Sequence, residues 1–339
     1  MMDLVTGATG HLGNVLVRSL LARGQKVRAL VRPGKFPVSL AGLPVEIISG
    51  DVLEPDSLIR AMDGVDVVYH LAARVTVAAG PDPETERVNL DGTRNVIAAA
   101  RRTSIRRLVY ASSIYALRAP DDGMVDESCP FDTESTRGAY DRSKAAASLE
   151  VQKAAAAGLD AVIVCPTAVA GPFDYQMSEA GRGILYNMRP GPKFYLDGAY
   201  DFVDVRDAAA GHILAAEHGL SGSTYILGGE RLTVWEVSQT VWEAAGIWCW
   251  PVKVPLWLAY WAAELMPFWS DLTGRAPLFT AYALDALQSN SWVSHAKAAR
   301  ELGYKPRPAR QALGDAVRWW QEQRGDLRPV PETIANAPA

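Results

Sequence analysis

Apolar positions in this chain gather into short runs separated by stretches of helical periodicity. The runs are Met2–Val5, Lys26–Val31, Val45–Ser49, Val65–His70, Arg107–Ser113, Ala161–Cys165 and Thr224–Gly228. Their β-branched content, and the Gly, Pro and Asp residues that bound them, predict strands. After the first run, Leu12, Val15, Leu16 and Leu20 recur on one helix face, and Gly24 stands where that helix would be capped. Further helices are predicted from Pro55, across Asn89–Arg102 and across the alanine-rich Ser143–Ala157. Strands that alternate with helices at this interval form a parallel sheet covered on both faces. Right-handed crossovers bring the strand ends to one rim, where ligands of open α/β sheets bind. The expectation is an α/β fold, a doubly wound parallel sheet of about seven strands.

The first strand end on that rim is Thr6-Gly7-Ala8-Thr9-Gly10-His11-Leu12-Gly13. A strand, a glycine-rich turn and an amphipathic helix make a dinucleotide-binding unit of Rossmann type. Gly7 would allow the tight turn, Gly10 the approach of a pyrophosphate, and Gly13 close packing of the helix on the strand. The helix N-terminus adds free N–H groups and a positive dipole end. At the end of the second strand an acid would hold the ribose 2′-hydroxyl of NAD, but Val31 and Arg32 stand there with Lys35 close behind. A guanidinium in place of an acid favours the 2′-phosphate of NADP, with NAD as the alternative. Asp51, followed by Val52, could accept from an adenine amino group. The small residues of Leu71-Ala72-Ala73 permit close approach of a cofactor, whereas His70, in an apolar strand, reads as a core histidine.

Tyr140 and Lys144 lie one helical turn apart and so share a helix face. A free tyrosine titrates near 10, and an adjacent ammonium would lower that value and make the pair a general acid/base. Ser112 and Ser113, at the end of the fifth strand, can bring a hydroxyl to the same place and polarise a carbonyl.

Composition narrows the setting. A formal net charge of −4 and a pI near 5.8 give no support for nucleic-acid binding. The three cysteines have no metal-ligand spacing and suggest a reducing compartment; with no signal peptide before the first strand, a cytosolic protein is expected. All ten tryptophans fall between Trp235 and Trp320. The stretch from Trp248 to Trp269 is very apolar, but Pro251, Pro255, Lys253, Glu264 and Pro267 interrupt it. It reads as a buried or substrate-lining helix, or else as one loosely associated with a membrane surface, and not as a spanning one. Trp248, Trp250, Trp257, Trp261 and Trp269 would serve either an apolar substrate or ordinary core and a dimer face.

With these pieces in place the chain resembles an extended short-chain dehydrogenase/reductase, of the branch that contains dihydroflavonol reductases and 3β-hydroxysteroid dehydrogenases. The resemblance rests on Thr6–Gly13, Gly50-Asp51-Val52, His70–Ala73, Asn89 with Gly92-Thr93, Ser112-Ser113 and Tyr140 to Lys144. It continues through Cys165–Pro172, Phe202–Asp207, Tyr225–Gly229 and Lys297–Tyr304. It departs at Val169-Ala170-Gly171, where the family has tyrosine before glycine, and in its very short first strand. The resemblance implies hydride transfer between nicotinamide and a carbonyl carbon, with Tyr140 as proton donor and Ser113 holding the substrate oxygen. Lys144 would bind the nicotinamide ribose, Ser112 would brace the strand end, and Asn89 would steady the site. Pro166, Ala168 and Val169 would pass beside the nicotinamide. Residues 1–171, completed by segments near 202–228, would hold the cofactor. Residues 172–201 and 229–335 would form a smaller, mainly helical C-terminal substrate lobe. A homodimer through Asn89–Arg102 and Ser143–Ala157 is the family-level expectation. A nucleotide-sugar epimerase with tightly held NAD, or a non-catalytic cofactor-binding regulator, are the alternatives; a dehydratase would carry acids where Ile114-Tyr115 stand.

Overall fold

A computed structural model describes residues 2–34, 37–76, 80–263 and 281–326. Its strands are β1 (Met2–Thr6), β2 (Lys26–Val31), β3 (Glu46–Ser49), β4 (Val67–His70), β5 (Arg107–Ala111) and β6 (Ala161–Pro166), then β7 (Ala168–Ala170), β8 (Gly191–Tyr195) and β9 (Ala199–Asp204), and last β10 (Thr224–Leu227), β11 (Glu230–Thr233) and β12 (Cys249–Lys253). The seven predicted strands form one sheet in the order β10-β6-β5-β4-β1-β2-β3, every pair parallel. The chain winds outward from β1 in one direction and from β4 in the other, so the crevice between their ends is the switch point where such sheets bind ligands.

The helices that cover the sheet are α1 (His11–Ala22), α2 (Pro55–Met62), the single turn α3 (Pro83–Glu86), α4 (Gly92–Thr103) and α5 (Ala139–Ala156). They are followed by α6 (Glu179–Asn187), α7 (Val205–His218), α8 (Val234–Ala245), α9 (Ala281–Gln288), α10 (Ala296–Leu302) and α11 (Ala309–Asp326). On one face Val15, Leu16 and Leu20 of α1 and Ile213 of α7 pack on Val5, Val27 and Val67. On the other Leu58 and Met62, Val96 and Ile97, and Val151 pack on Leu4, Val68, Leu108 and Ile163. Both faces of the strands are therefore buried, which is why they read as unbroken apolar runs.

Two small sheets lie outside the prediction. One pairs β11, β9 and β7, and the other pairs β12 with β8. Gly191-Pro-Lys-Phe-Tyr195 carries turn residues, and its extended form depends on a partner far along the chain, so local pattern could not reveal it. The helix expected from Ser143 begins earlier, at Ala139. The one expected from Asn89 opens with a π turn over Arg87–Asp91 before α4.

The Trp-rich stretch corrects the reading of a buried or substrate-lining helix. Trp248 and Trp250 flank and enter β12, a short helix over residues 256–263 follows, and Trp248, Trp250, Trp257 and Trp261 are all exposed. Pro251 and Pro255 keep the segment from forming one helix. Glu264, Pro267 and Trp269 lie outside the described residues, as does Lys35. Among the described residues the buried tryptophans are Trp242, packed edge-on with Trp235, and Trp319 and Trp320, which cluster with Leu232, Leu313 and Val317.

Candidate active site

The glycine turn follows β1 directly. Gly7 has φ +69, and a Cβ there would lie 2.6 Å from the Ala72 nitrogen, so the turn needs glycine both for its backbone and for the close passage of Leu71-Ala72. A Cβ on Gly13 would lie 2.1 Å from the Gly7 carbonyl oxygen. At Gly10 the only atom near such a Cβ is the same oxygen, at 3.3 Å, and the side away from the turn is open. Helix α1 starts there without a side-chain cap and without an acid in its first turn. Its orphan N–H groups are thus left for an anion. The turn is tied to the strip beyond β7: His11 donates from Nε2 to the Pro172 carbonyl at 3.0 Å, and Asn14 donates to that of Phe173 at 3.1 Å. His11 Nδ1 is buried without a protein partner. The Thr9 carbonyl accepts from Ser39 and Gln176, and Leu12 packs partly buried against the core beneath the turn.

Further along the rim, Arg32 follows β2, exposed and with no hydrogen bond or ion pair among the described residues. Asp51 does not cap α2, whose N-cap is Glu54. One of its carboxylate oxygens accepts from the Leu53 N–H at 2.9 Å, and Val52 packs against Gly92. Ala73 is exposed at the mouth of the crevice. A dinucleotide fits this rim: an open glycine, an uncapped helix end and an unpaired guanidinium follow one another along it. His70 is the buried core histidine that the sequence suggested, with Thr6 Oγ1 at 2.7 Å on one nitrogen and Thr93 Oγ1 at 3.1 Å on the other. Burial lowers its pKa to about 3.

Tyr140 stands in the first turn of α5, half-buried, with Ser113 at the end of β5 close enough to act on its phenol. Ser113 Oγ accepts from the Tyr115 N–H at 3.2 Å, which fixes the serine at the N-cap of a short turn. Ser112 points the other way, sharing a 2.7 Å hydrogen bond with Ser148 of α5. The structure therefore brings the phenol and the second serine together.

The lysine does not behave as expected. Lys144 is buried, donates to the Ala111 carbonyl and lies 4.4 Å from the centre of the Tyr110 ring. Burial lowers its pKa to about 7. Burial also pushes the Tyr140 phenol up to about 12, with the Ser113 side chain pulling the other way. The expectation that an ammonium holds Tyr140 below its ordinary value is corrected for this state of the protein: desolvation favours the neutral form of both groups.

Asn89 sits in the π turn before α4, a local widening that often marks functional positions. Its side-chain amide donates to Ser143 Oγ at 2.9 Å and to the Arg74 carbonyl at 3.0 Å, and its oxygen accepts from the Arg74 N–H at 2.8 Å. It thus clamps the segment after β4 to α5. Pro166 ends β6, and Ala168 and Val169 pair in parallel with Phe202 and Val203 of β9.

From Ile114, the residue after Ser113, a cleft opens between the sheet rim and the C-terminal lobe, with Ile114, Leu117, Val125 and Val293 on its apolar walls. Tyr200, Asp201, Asn290 and Arg137 bring polar groups to it, and no tryptophan among the described residues lines it. Sequence reasoning missed Arg137 and its partners. Arg137 pairs with buried Asp141 at 2.6 Å and donates to the Tyr115 carbonyl at 3.0 Å, and Asp141 accepts from the Tyr282 hydroxyl at 2.8 Å. The signal that was present is the arginine-aspartate spacing of one helical turn.

A model of the NAD dependent epimerase/dehydratase family matches residues 4–228. The chain is 37% identical over 328 residues to sterol demethylase protein B of Methylococcus capsulatus, covering 95% of this chain and 99% of that protein. It is 33% identical over 330 residues to a ketoreductase of Stigmatella aurantiaca named for a farnesyl-bearing dihydroquinoline oxide, covering 94% of this chain and 96% of the relative. It is 30% identical over 345 residues to the 3 beta-hydroxysteroid dehydrogenase/Delta 5→4-isomerase of Mycobacterium tuberculosis, covering 94% and 90% respectively.

Proposed function

We propose, for a chain that belongs to the NAD-dependent epimerase/dehydratase family and is an oxidoreductase like its reductase and dehydrogenase relatives, the NADP(H)-dependent interconversion of a ketone or aldehyde and an alcohol on a hydrophobic, steroid-like or aromatic small molecule. The observation that carries this reading is the nearness of the Ser113 side chain to the Tyr140 phenol, enough to pull its pKa down, on the rim where the glycine turn lies and next in sequence to Ile114 of the cleft. A bound nicotinamide dinucleotide supplies the hydride or takes it. Ser113 and Tyr140 together hold the substrate oxygen, and Tyr140 gives it a proton during reduction and takes one during oxidation. Lys144 reaches the ribose hydroxyls, and Asn89 keeps α5 in register with the rim. Arg32 binds the 2′-phosphate and Asp51 the adenine amino group. Gly7, Thr9, Gly10, His11, Leu12 and Gly13, with Leu71–Ala73, Ser112, Pro166, Ala168 and Val169, line the cofactor. In this reading residues 1–171 and 202–228 form the cofactor half, and 172–201 with 229–335 form the substrate lobe. The molecule pairs with a second copy through α4 and α5.

A nucleotide-sugar epimerase would need cations for a diphosphate. Arg137 is the one cation on the cleft among the described residues, and Asp141 already holds it. The names of the relatives, which speak of sterols, hydroxysteroids and a farnesyl chain, support the apolar substrate. The test is a cofactor-consumption panel of steroid and aromatic ketones run beside a UDP-sugar epimerisation assay. NADPH is expected to be used in preference to NADH, with Arg32→Ala narrowing that preference. Tyr140→Phe should lose at least about a hundredfold in kcat with the dissociation constant for cofactor nearly unchanged. Full activity in Tyr140→Phe, or turnover of UDP-sugars alone, overturns the reading.

A further inference from the structure

On one side of the C-terminal lobe the ordinary relation between side-chain size and burial is reversed. In the helix over 256–263 the residues turned inward are Ala259 and Ala263, 4% and 7% exposed, while Trp257 and Trp261 are 69% and 67% exposed. A helix that only had to pack on its own protein would place the large apolar residues inward. The neighbouring ribbon repeats the reversal. Lys193 of β8 is buried, its amine 4.6 Å from the centre of the Tyr186 ring, while the adjacent Phe194 is exposed. The register sets Phe194 beside Val252, and Trp250 lies two residues along β12 on the same face. Trp248 continues that face, its ring 6.3 Å from that of Trp250. Large apolar side chains left in solvent along a ribbon face and on the helix that follows it in sequence mark an interaction site.

We propose that this face rests the protein on the surface of an anionic lipid bilayer. Two observations select lipid over a protein partner. The exposed large residues are chiefly tryptophans, whose apolar rings carry an N–H that must stay wet, a combination suited to the headgroup level of a membrane. The ribbon has an exposed cation at each end, Arg189 before β8 and Lys253 closing β12; Lys253 alternates away from the Trp250–Val252 side and is paired with the exposed Asp197, so Arg189 is the cation free to meet an anionic headgroup. A cation at the edge of an apolar face suits anionic headgroups. Among the described residues no helix is long and apolar enough to cross a membrane, so the protein lies on the bilayer and does not span it.

The face also leads to the cleft. Ala259 and Ala263 pack on Leu284 and Leu287 of α9, and Ala286 of the same helix lines the cleft. A substrate dissolved in lipid would approach the cleft from the side of this helix. That purpose rests on the apolar substrate proposed above; the lipid contact itself does not.

The test is sedimentation of the full chain with vesicles of phosphatidylcholine alone and of phosphatidylcholine with about a third phosphatidylglycerol, together with tryptophan quenching by lipids brominated along the acyl chain. The expected result is binding that is stronger to the anionic vesicles, a blue shift of emission and quenching by the brominated lipid. Trp250→Ser/Trp257→Ser/Trp261→Ser should weaken vesicle binding by about tenfold or more and leave the melting curve nearly unchanged, since these side chains touch little protein. Arg189→Glu should remove the preference for anionic vesicles. Absence of vesicle binding and quenching in the wild type overturns the proposal. So does a wild-type dimer that the triple variant converts to monomer without any vesicle binding, because a second copy then covers the face. No readout depends on turnover, so a protein that binds vesicles yet reduces no ketone refutes the substrate reading alone.

Discussion

Lys144 holds its amine against the Ala111 carbonyl and the Tyr110 ring, where burial lowers its pKa to about 7. In the unfolded chain a lysine keeps its proton to about 10.4. Between those values the unfolded state binds a proton that the folded state does not, so this residue adds stability as pH rises through the window. Below pH 7 the folded protein must bury an ammonium, and the cost is at its full value. Lys144→Met is therefore expected to be more stable than the wild type at pH 6, with the gap closing towards pH 10 by at most about 1.4 kcal/mol per unit. Chemical denaturation at several pH values, without nucleotide, measures this; a gap that does not change with pH would show that Lys144 is not under desolvation stress. The same pair of residues marks how far sequence reading reaches. That Tyr140 and Lys144 share a helix and Ser113 closes a strand was legible, because one helical turn and one strand end are local facts. The direction of the ammonium was not, because Tyr110 and the Ala111 carbonyl are brought under α5 only by the packing of β5.

The glycine turn shows the same division at the level of an element. Three glycines spaced for a turn, an approach and a helix contact were readable before any coordinates. Which of them is structural follows from what a methyl group would meet. At Gly13 a Cβ runs into the Gly7 carbonyl at 2.1 Å, and neither backbone can retreat without moving β1 or α1. At Gly10 the nearest atom is 3.3 Å away, a contact that small shifts relieve. Gly13→Ala should therefore cost about 3 kcal/mol or more in stability. Gly10→Ala should fold normally and lose about tenfold or more in affinity for the dinucleotide, because its added carbon projects where the pyrophosphate would pass. Thermal melts and isothermal titration of the two variants separate these outcomes; a Gly10→Ala protein with unchanged cofactor affinity would remove the turn from the binding site. The two small sheets and the π turn at Arg87–Asp91 had no such signal. Each depends on pairing or crowding between distant segments, and periodicity within the segment cannot encode it.

Across the whole molecule, one of the buried polar groups that tie the C-terminal helices to the rest of the chain is the carboxylate of Asp141. It belongs to the helix that carries Tyr140 and Lys144, yet its partners come from both sides of the cleft: Arg137 from the loop before α5 and Tyr282 from α9 of the lobe. Burial pushes its pKa above the usual carboxylate range even though Arg137 and Tyr282 both pull it down. Taking Arg137 away leaves a buried charge facing only a phenol, and such an orphan costs about 3–5 kcal/mol. The variant has a way out, since a carboxyl with a raised pKa takes up a proton in the folded state before it does so in the unfolded chain. Arg137→Met is thus expected to be strongly destabilised at pH 7 and to recover towards the wild type as pH falls towards about 5, the opposite of ordinary acid weakening. Tyr282→Phe, which removes a neutral donor and leaves the ion pair, should lose less, about 1.5–3 kcal/mol. Adding Asp141→Asn to Arg137→Met should restore most of the loss at pH 7 and abolish the recovery on acidification, because no charge is then left to neutralise. Melting curves of the three proteins at pH 5 and pH 7 decide the matter: a deficit in Arg137→Met that is equal at both pH values would mean that the arginine holds the lobe through the Tyr115 carbonyl, with the charge of Asp141 playing no part.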